Sequence, residues 1–137
     1  MTTTFSHKMT VKMYDTDCAG ILYFGNQFRF FEDALESMMD FEGASFKELI
    51  ATTPYIFVVV HTEADYYKPL YMGDKITVEV SVGKIGTTSF QMNYKIFKGE
   101  QLTGSGNTVH ACLNRKTQRT EPLPTSAMSI LTKYLES

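Results

Sequence analysis

The sequence predicts an α+β fold, one long apolar helix lying against one antiparallel sheet. Three observations lead there. The apolar spacing changes from a period of two to a period near that of a helix at Asn26. Four β-rich segments follow, joined by links shorter than a parallel crossover requires. The chain also lacks the repeated β-α units from which a parallel sheet is built.

Residues 6–14 alternate, with Met9, Val11 and Met13 on one side and Lys8, Thr10 and Lys12 on the other. That is the pattern of a half-buried strand. Residues 15–20 interrupt it with small and polar side chains. From Asn26, Phe28, Phe31, Leu35, Met38 and Met39 recur at three- and four-residue steps, while Arg29, Glu32, Asp33 and Glu36 fall on other faces. This predicts an amphipathic helix of about four turns, with Gly25 and Asn26 marking its start. Phe30 and Ala34 widen the stripe, so the helix is expected to be buried on more than one side. Gly43-Ala44-Ser45 ends it. Residues 45–51 read as a short helix with Glu48 closing a capping box on Ser45, and Pro54 stops it. Strands are expected over residues 55–67, 75–82, 88–98 and 102–114, with links at 69–74, 83–87 and 99–100 that imply successive antiparallel hairpins. Residues 125–135, behind Pro122 and Pro124, read as a last helix. No repeat, linker or low-complexity segment divides the chain, and residues 1–137 are read as a single domain.

Composition narrows the function. Of 137 residues, 43% are apolar and 20% charged, which suits a packed core and argues against disorder. A net charge of −2 argues against a nucleic-acid binder. No apolar run is long enough to span a bilayer, and residues 1–8 show no secretory h-region, so a cytoplasmic location is expected. Cys18 and Cys112 lack CxxC spacing, and His7, His61 and His110 are scattered, so neither a metal site nor a disulfide is expected. Ten Phe and eight Tyr must pack, or line a pocket for a flat apolar ligand.

The segment that carries chemistry is residues 14–26, Tyr-Asp-Thr-Asp-Cys-Ala-Gly-Ile-Leu-Tyr-Phe-Gly-Asn. It places Asp15 and Asp17 in a loop that leads into the N-terminus of the central helix. That end of a helix offers free N–H groups and partial positive charge, which can hold the oxyanion of an attacked carbonyl. A carboxylate beside it can attack a thioester carbon or activate water. Gly20 and Gly25 let backbone approach a ligand closely. Read from the residues alone, an Asp-x-Asp of this kind more often simply caps turns.

The run Asp15-Thr16-Asp17-x-Ala-Gly-Ile-Leu-Tyr-Phe-x-Asn, continuing into Phe30-Phe31-Glu32, resembles the hotdog thioesterases of the 4-hydroxybenzoyl-CoA thioesterase type, including the Tol-Pal-associated acyl-CoA thioesterases. Ala64-Asp65-Tyr66-Tyr67-Lys68-Pro69 with Gly73-Asp74, and Thr108-Val109-His110-Ala111-Cys112, also resemble that family, and the likeness covers residues 6–124. It implies a long central helix wrapped by a curved five-stranded antiparallel sheet. It also implies hydrolysis of an acyl-CoA or aroyl-CoA to the free acid and CoA, without metal or other cofactor. By the same resemblance Asp17 is the catalytic carboxylate, as nucleophile or general base. The oxyanion donor maps to the N–H of Phe24 or Gly25, Tyr23 and Asn26 join the substrate-binding group, and Asp15 and Gly20 support the loop. Family members pair subunits edge to edge, so a homodimer or homotetramer with a composite site is expected. Two departures stand out. Phe24 occupies a position where many relatives carry His, and the turn before the fourth strand holds only Lys84 for CoA phosphates. The Tyr23-Phe24 pair resembles relatives that hydrolyse 1,4-dihydroxy-2-naphthoyl-CoA, but the acyl group stays open.

A non-catalytic acyl-thioester-binding or scaffold protein of the same fold is the alternative. A metal-dependent phosphotransferase needs the parallel sheet and further carboxylates that are missing here. A dehydratase needs a His-carboxylate motif that does not stand out. Cys18 has no neighbouring His in sequence to activate it. Glu32 reads as structural, His61 as a structural histidine, and His110 could face either side of its strand.

Overall fold

The alternation that begins the chain builds the first edge of a five-stranded sheet. The computed structural model describes residues 3–136, with β1 at Phe5–Thr10, α1 at Asn26–Phe41, α2 at Phe46–Thr52, β2 at Tyr55–Tyr66, β3 at Lys75–Ile85, β4 at Ser89–Lys98, β5 at Gln101–Asn114 and α3 at Thr125–Lys133. The strand order is β1-β3-β4-β5-β2, and every neighbouring pair is antiparallel.

Three local expectations need correction. The first strand ends at Thr10, and Met13 is 72% exposed because residues Met13–Asp15 form a 3₁₀ turn that leaves the sheet. Gly83 does not lie in a turn. β3 runs on to Ile85 and carries a bulge between Val82 and Lys84. Beyond the Phe5–Val80 pair the outer edge of β3 is free of β1, and the tail after α3 straps onto it, with the Val82 N–H donating to the Tyr134 carbonyl and the Glu136 N–H to the Val82 carbonyl, both at 2.8 Å. Finally, β2 and β3 are not a hairpin. β2 pairs with β5 at the far edge, and the link 67–74 crosses the end of the sheet. Three strand spacings come to about 14 Å, and eight extended residues reach up to about 27 Å. A link of this length therefore serves either connection, and its shortness alone does not decide between them.

The core lies between α1 and the sheet. Phe30, Phe31, Ala34, Leu35 and Met38 of α1 are buried, facing Ile76, Val78, Val80 and Val82 of β3 and Phe90, Met92, Tyr94 and Ile96 of β4. The alternate positions of each strand supply this face, as the pleat requires. Phe31 stacks on Tyr94 with ring centroids 4.4 Å apart. The buried Tyr94 hydroxyl shares a 2.8 Å hydrogen bond with Thr108. α2 is capped as expected on its Ser45 side, whose Oγ accepts the Glu48 N–H at 3.2 Å. α3 docks onto the end of α1 through Glu42, which accepts hydrogen bonds from Lys133 and Tyr134 at 2.6 Å each. Those donors hold the Glu42 carboxyl below the usual carboxylate range. Among the described residues, no helix is long and apolar enough to cross a membrane.

The Gln27 and Phe31 side chains of α1 pack tightly over β5, and glycine makes room for them there. A Cβ on Gly106 would stand 2.4 Å from the Glu63 carbonyl oxygen and 2.6 Å from the Phe31 ring; one on Gly104 would stand 2.6 Å from the Gln27 amide oxygen. Gln27, buried in the first turn of α1, fills the space with its Nε2, which donates to the Asp65 carbonyl at 3.0 Å and the Ser105 carbonyl at 3.4 Å. Because the Gly106 clash is with backbone, Gly106→Ala is expected to lower stability by about 1–3 kcal/mol, the usual cost of overpacking. Chemical denaturation measures it, and an alanine variant as stable as the parent would contradict the close approach.

Candidate active site

The candidate site is built on the loop that joins the 3₁₀ turn to α1, and Asp15 fixes it. The residue is 1% exposed. One carboxylate oxygen accepts the Lys12 N–H at 2.8 Å, and the other accepts the Arg29 guanidinium from one turn into α1. Arg29 also pairs with Asp33 at 3.0 Å. The Asp15 carbonyl accepts the Tyr23 N–H and the Asn26 side-chain amide, each at 2.9 Å. A buried carboxylate is tolerable only with such partners, so the loop closes back on its own beginning.

Asn26 does not cap its helix. The N-cap position is Gly25, already in helical geometry at φ −65° and ψ −25°. The chain turns before α1 begins, so the Asn26 N–H donates to the Tyr23 carbonyl at 2.9 Å, and those of Gln27 and Phe28 to Phe24 and Gly25 at 3.3 Å. The early helical N–H groups are thus already taken, and the Asn26 side chain is free to reach back to Asp15. Within residues 22–28, only the N–H groups of Phe24 and Gly25 have no hydrogen-bond partner among the described residues. The donors available to a ligand therefore lie just before the helix.

Asp17 is exposed, in a turn closed by Gly20 at φ +79°. Its Oδ1 accepts the Ala19 N–H at 2.9 Å, and its carbonyl accepts the Gly20 N–H at 2.9 Å. The turn-capping role of an Asp is thus filled by one oxygen; Oδ2 has no partner among the described residues. The Tyr23 and Phe24 rings lie 4.7 Å apart and both are exposed. A Cβ on Gly25 would stand 2.8 Å from the Tyr23 ring, so glycine there makes room for the aromatic pair.

The β2–β3 crossover holds the loop from outside. The Leu22 N–H donates to the Leu70 carbonyl at 2.7 Å, and Ile21 bridges to Tyr71. The Tyr66 hydroxyl donates to the Phe24 carbonyl at 2.7 Å, and partial burial pushes its pKa up. Between crossover and loop lies a cavity of about 370 Å³ lined by Ile21, Leu22, Phe24, Gln27, Tyr66 and Lys68 among others. Phe24 alone of the expected site residues lines it; Asp15, Asp17, Gly20, Tyr23, Gly25 and Asn26 do not. Arg29, Gln27 and Tyr66 were not anticipated as parts of the site. The block 64–69 carried a signal for Tyr66. Nothing in the sequence marks Arg29 as the partner of Asp15, because the pairing is made by the fold. Cys18 is exposed, while His61 pairs with Glu63 at 2.9 Å and His110 faces Glu32, so neither histidine serves it.

Residues 11–131 match the thioesterase-like superfamily. The chain belongs to that superfamily. Its fold is the hotdog fold, and its class is that of a thioesterase. It is 28% identical over 120 residues to a 1,4-dihydroxy-2-naphthoyl-CoA hydrolase of Nostoc punctiforme, covering 88% of this chain and 81% of the relative. It is 33% identical over 119 residues to a protein of the same name from Prochlorococcus marinus, covering 82% and 77%. The crystal structure of a 1,4-dihydroxy-2-naphthoyl-CoA thioesterase from Synechocystis superposes with a TM-score of 0.89 at 26% identity, over 95% of this chain and 96% of the other. These similarities support the superfamily that the loop motif suggested. They do not single out its 4-hydroxybenzoyl-CoA or Tol-Pal-associated members.

The thioesterase's loop depends on an ion pair that is buried on one side only, since the Arg29 side chain is 43% exposed. Removing one partner of a fully buried pair costs about 3–5 kcal/mol. Arg29→Met is therefore expected to cost less, about 1–3 kcal/mol. Adding Asp15→Asn to Arg29→Met should cost less than the two single changes summed, because they share one interaction. Urea unfolding of the two single variants and the double variant measures this, and strict additivity would refute the coupling.

Proposed function

We propose that this thioesterase hydrolyses an aroyl- or acyl-CoA to the free acid and CoA, with Asp17 as its catalytic carboxylate. The observation that carries the reading is the pair of unspent N–H groups at Phe24 and Gly25, on the same short loop as an unpartnered carboxylate oxygen. A thioester carbonyl held by those N–H groups has its developing negative charge stabilised where it forms. Asp17 then acts in one of two ways. As nucleophile, its oxygen bonds to the carbonyl carbon, the C–S bond breaks, CoA leaves as the thiolate, and water cleaves the resulting anhydride to regenerate the carboxylate. As general base, it takes a proton from the water that attacks. Phe24 gives the cavity an apolar wall on that side. Lys68 at the cavity rim carries the charge a CoA phosphate would need. The names of the naphthoyl-CoA hydrolases favour a flat aromatic acyl group.

Two chains are proposed to complete the site. β2 is an edge strand with a free side, and Val59 and Val60 at its bulge are exposed. Such an edge invites pairing with another strand. Asp17 is exposed and does not line the cavity beside Phe24, which favours a pocket wall supplied by a second copy. Light scattering at micromolar concentration is expected to report a dimer or tetramer. A fully active 15.5 kDa particle would refute the composite site.

Asp17→Asn keeps the Oδ1 acceptor of the turn and removes the charge. It is expected to fold and to bind a substrate analogue with little change. Turnover should fall by about 10²-fold or more, the lower range for loss of a general base. Steady-state assay of aroyl- and acyl-CoA thioesters, with thermal melts and analogue binding, tests it. Near-normal turnover by a folded Asp17→Asn would show that another group does the chemistry.

A further inference from the structure

The free Gly25 N–H belongs to a peptide unit that is gripped from its other side. That unit carries the Phe24 carbonyl at one end and the Gly25 N–H at the other, in one plane. No cis bond occurs among the described residues, so the two groups point in opposite directions. The carbonyl accepts the Tyr66 hydroxyl at 2.7 Å and, from the start of α1, the Gln27 N–H at 3.3 Å. The shorter and better bond is the one from Tyr66. The preceding unit differs. Its Tyr23 carbonyl accepts the Asn26 N–H at 2.9 Å and has no side-chain donor among the described residues, so the helix start alone aims the Phe24 N–H.

The Tyr66 hydroxyl is delivered from a fixed place. Tyr66 ends β2 and pairs with Gly104 of β5. The Asp65 carbonyl just before it accepts the Gln27 side-chain amide at 3.0 Å, and the Tyr67 N–H just after it donates to the Thr103 carbonyl at 2.9 Å. The strand end and the helix start are thus tied by two bonds of opposite sense. Tyr66 is 46% exposed, but a water in place of its hydroxyl would first have to be immobilised.

Such a bond has two effects on the far end of the peptide. It fixes the rotation of the plane, and so the line along which the Gly25 N–H points. It also draws electron density towards the carbonyl oxygen, which leaves the N–H more positive, as in any chain of linked hydrogen bonds. An oxyanion forming at that N–H gains from both aim and charge.

We infer that Tyr66 is a positioning residue for the hydrolysis, orienting and strengthening the Gly25 N–H through the peptide they share. It acts on the donor and takes no part in bond breaking. This rests on the proposed thioester hydrolysis and adds to it a residue from the far edge strand.

The test compares the parent, Tyr66→Phe and a chain with a ring-fluorinated tyrosine at position 66, whose hydroxyl is a stronger donor. Steady-state assays are run at mildly acidic pH, where both phenols keep their protons, with thermal melts to confirm folding. In Tyr66→Phe kcat should fall about three- to tenfold, the scale of one neutral hydrogen bond. KM should change little, because the gain is made in the transition state. The fluorinated chain should match or exceed the parent. A second readout watches the peptide itself. Phe24-Gly25 is the only Phe-Gly step in the sequence. Isotope labelling of Phe carbonyl carbons and Gly nitrogens therefore gives a single NMR cross-peak for it, which should move upfield in both dimensions in Tyr66→Phe. A peak that stays in place overturns the inference, as does a shifted peak with kcat unchanged. Equal losses of kcat in Tyr66→Phe and the fluorinated chain would also overturn it, since packing rather than donation would then matter. Each of those results leaves the hydrolase reading standing, whereas a parent that cleaves no thioester sinks that reading and the inference with it.

Discussion

One buried carboxylate holds the site in shape. Asp15 draws in the 3₁₀ turn through the Lys12 N–H, the central helix through Arg29, and the two ends of its own loop through Tyr23 and Asn26. Its charge is removed from water, so each of these partners is strongly required. Asp17, two residues on, needs no such support and stays at the surface with one oxygen unengaged. The two carboxylates of the motif are therefore divided by environment. One is spent on structure, and the other keeps an oxygen free of protein partners among the described residues.

The second constraint is how deeply α1 can sink into the sheet. Gly104 and Gly106 remove side chains from β5 where the first turn of α1 arrives, and the amide of Gln27 bonds strand carbonyls across that gap. The start of the helix, and with it the N–H groups of Phe24 and Gly25, is thus located relative to β2 and β5 by side chains that bond backbone carbonyls, Gln27 to Asp65 and Ser105 and Tyr66 to Phe24. Preorganised donors of this kind act without reorganising during a reaction. The helix is held at the end where its position matters to a ligand, while Glu42 secures the opposite end to α3.

Much of this was legible in the sequence because it is periodic. The step from alternating residues to the stripe of Phe31, Leu35 and Met38 revealed the helix, and the valines of β3 and the alternation of β4 revealed the sheet. What escaped depends on partners far apart in the chain. The place of β2 beside β5 is set by sheet geometry, and a link of eight residues fits a hairpin or a crossover equally well. The bulge at Gly83 makes room for Asn93 of the neighbouring strand, a partner that local sequence does not reveal. Asn26 has the chemistry of a cap, yet the turn at Phe24 and Gly25 had already taken the N–H groups it would have served. Local chemistry identified Asp15 and Asp17 as a pair, but only burial separates their surroundings.

The strand order also governs when the loop can take shape. α1 forms from local contacts, and β4 and β5 close through Gly99 and Glu100 alone. By contrast Phe5 must find Val80, and Tyr55 must find Asn114, before the edges of the sheet exist. Closing such long loops is entropically costly and slow. The Asp15–Gly25 segment sits inside the first of them and takes its outer clamp, Leu70, from the crossover. During synthesis the motif leaves the ribosome early but remains without its clamp until the crossover and the strands that follow it have emerged. A chain cut short after α2 carries every residue of the motif and none of the architecture that makes it a site.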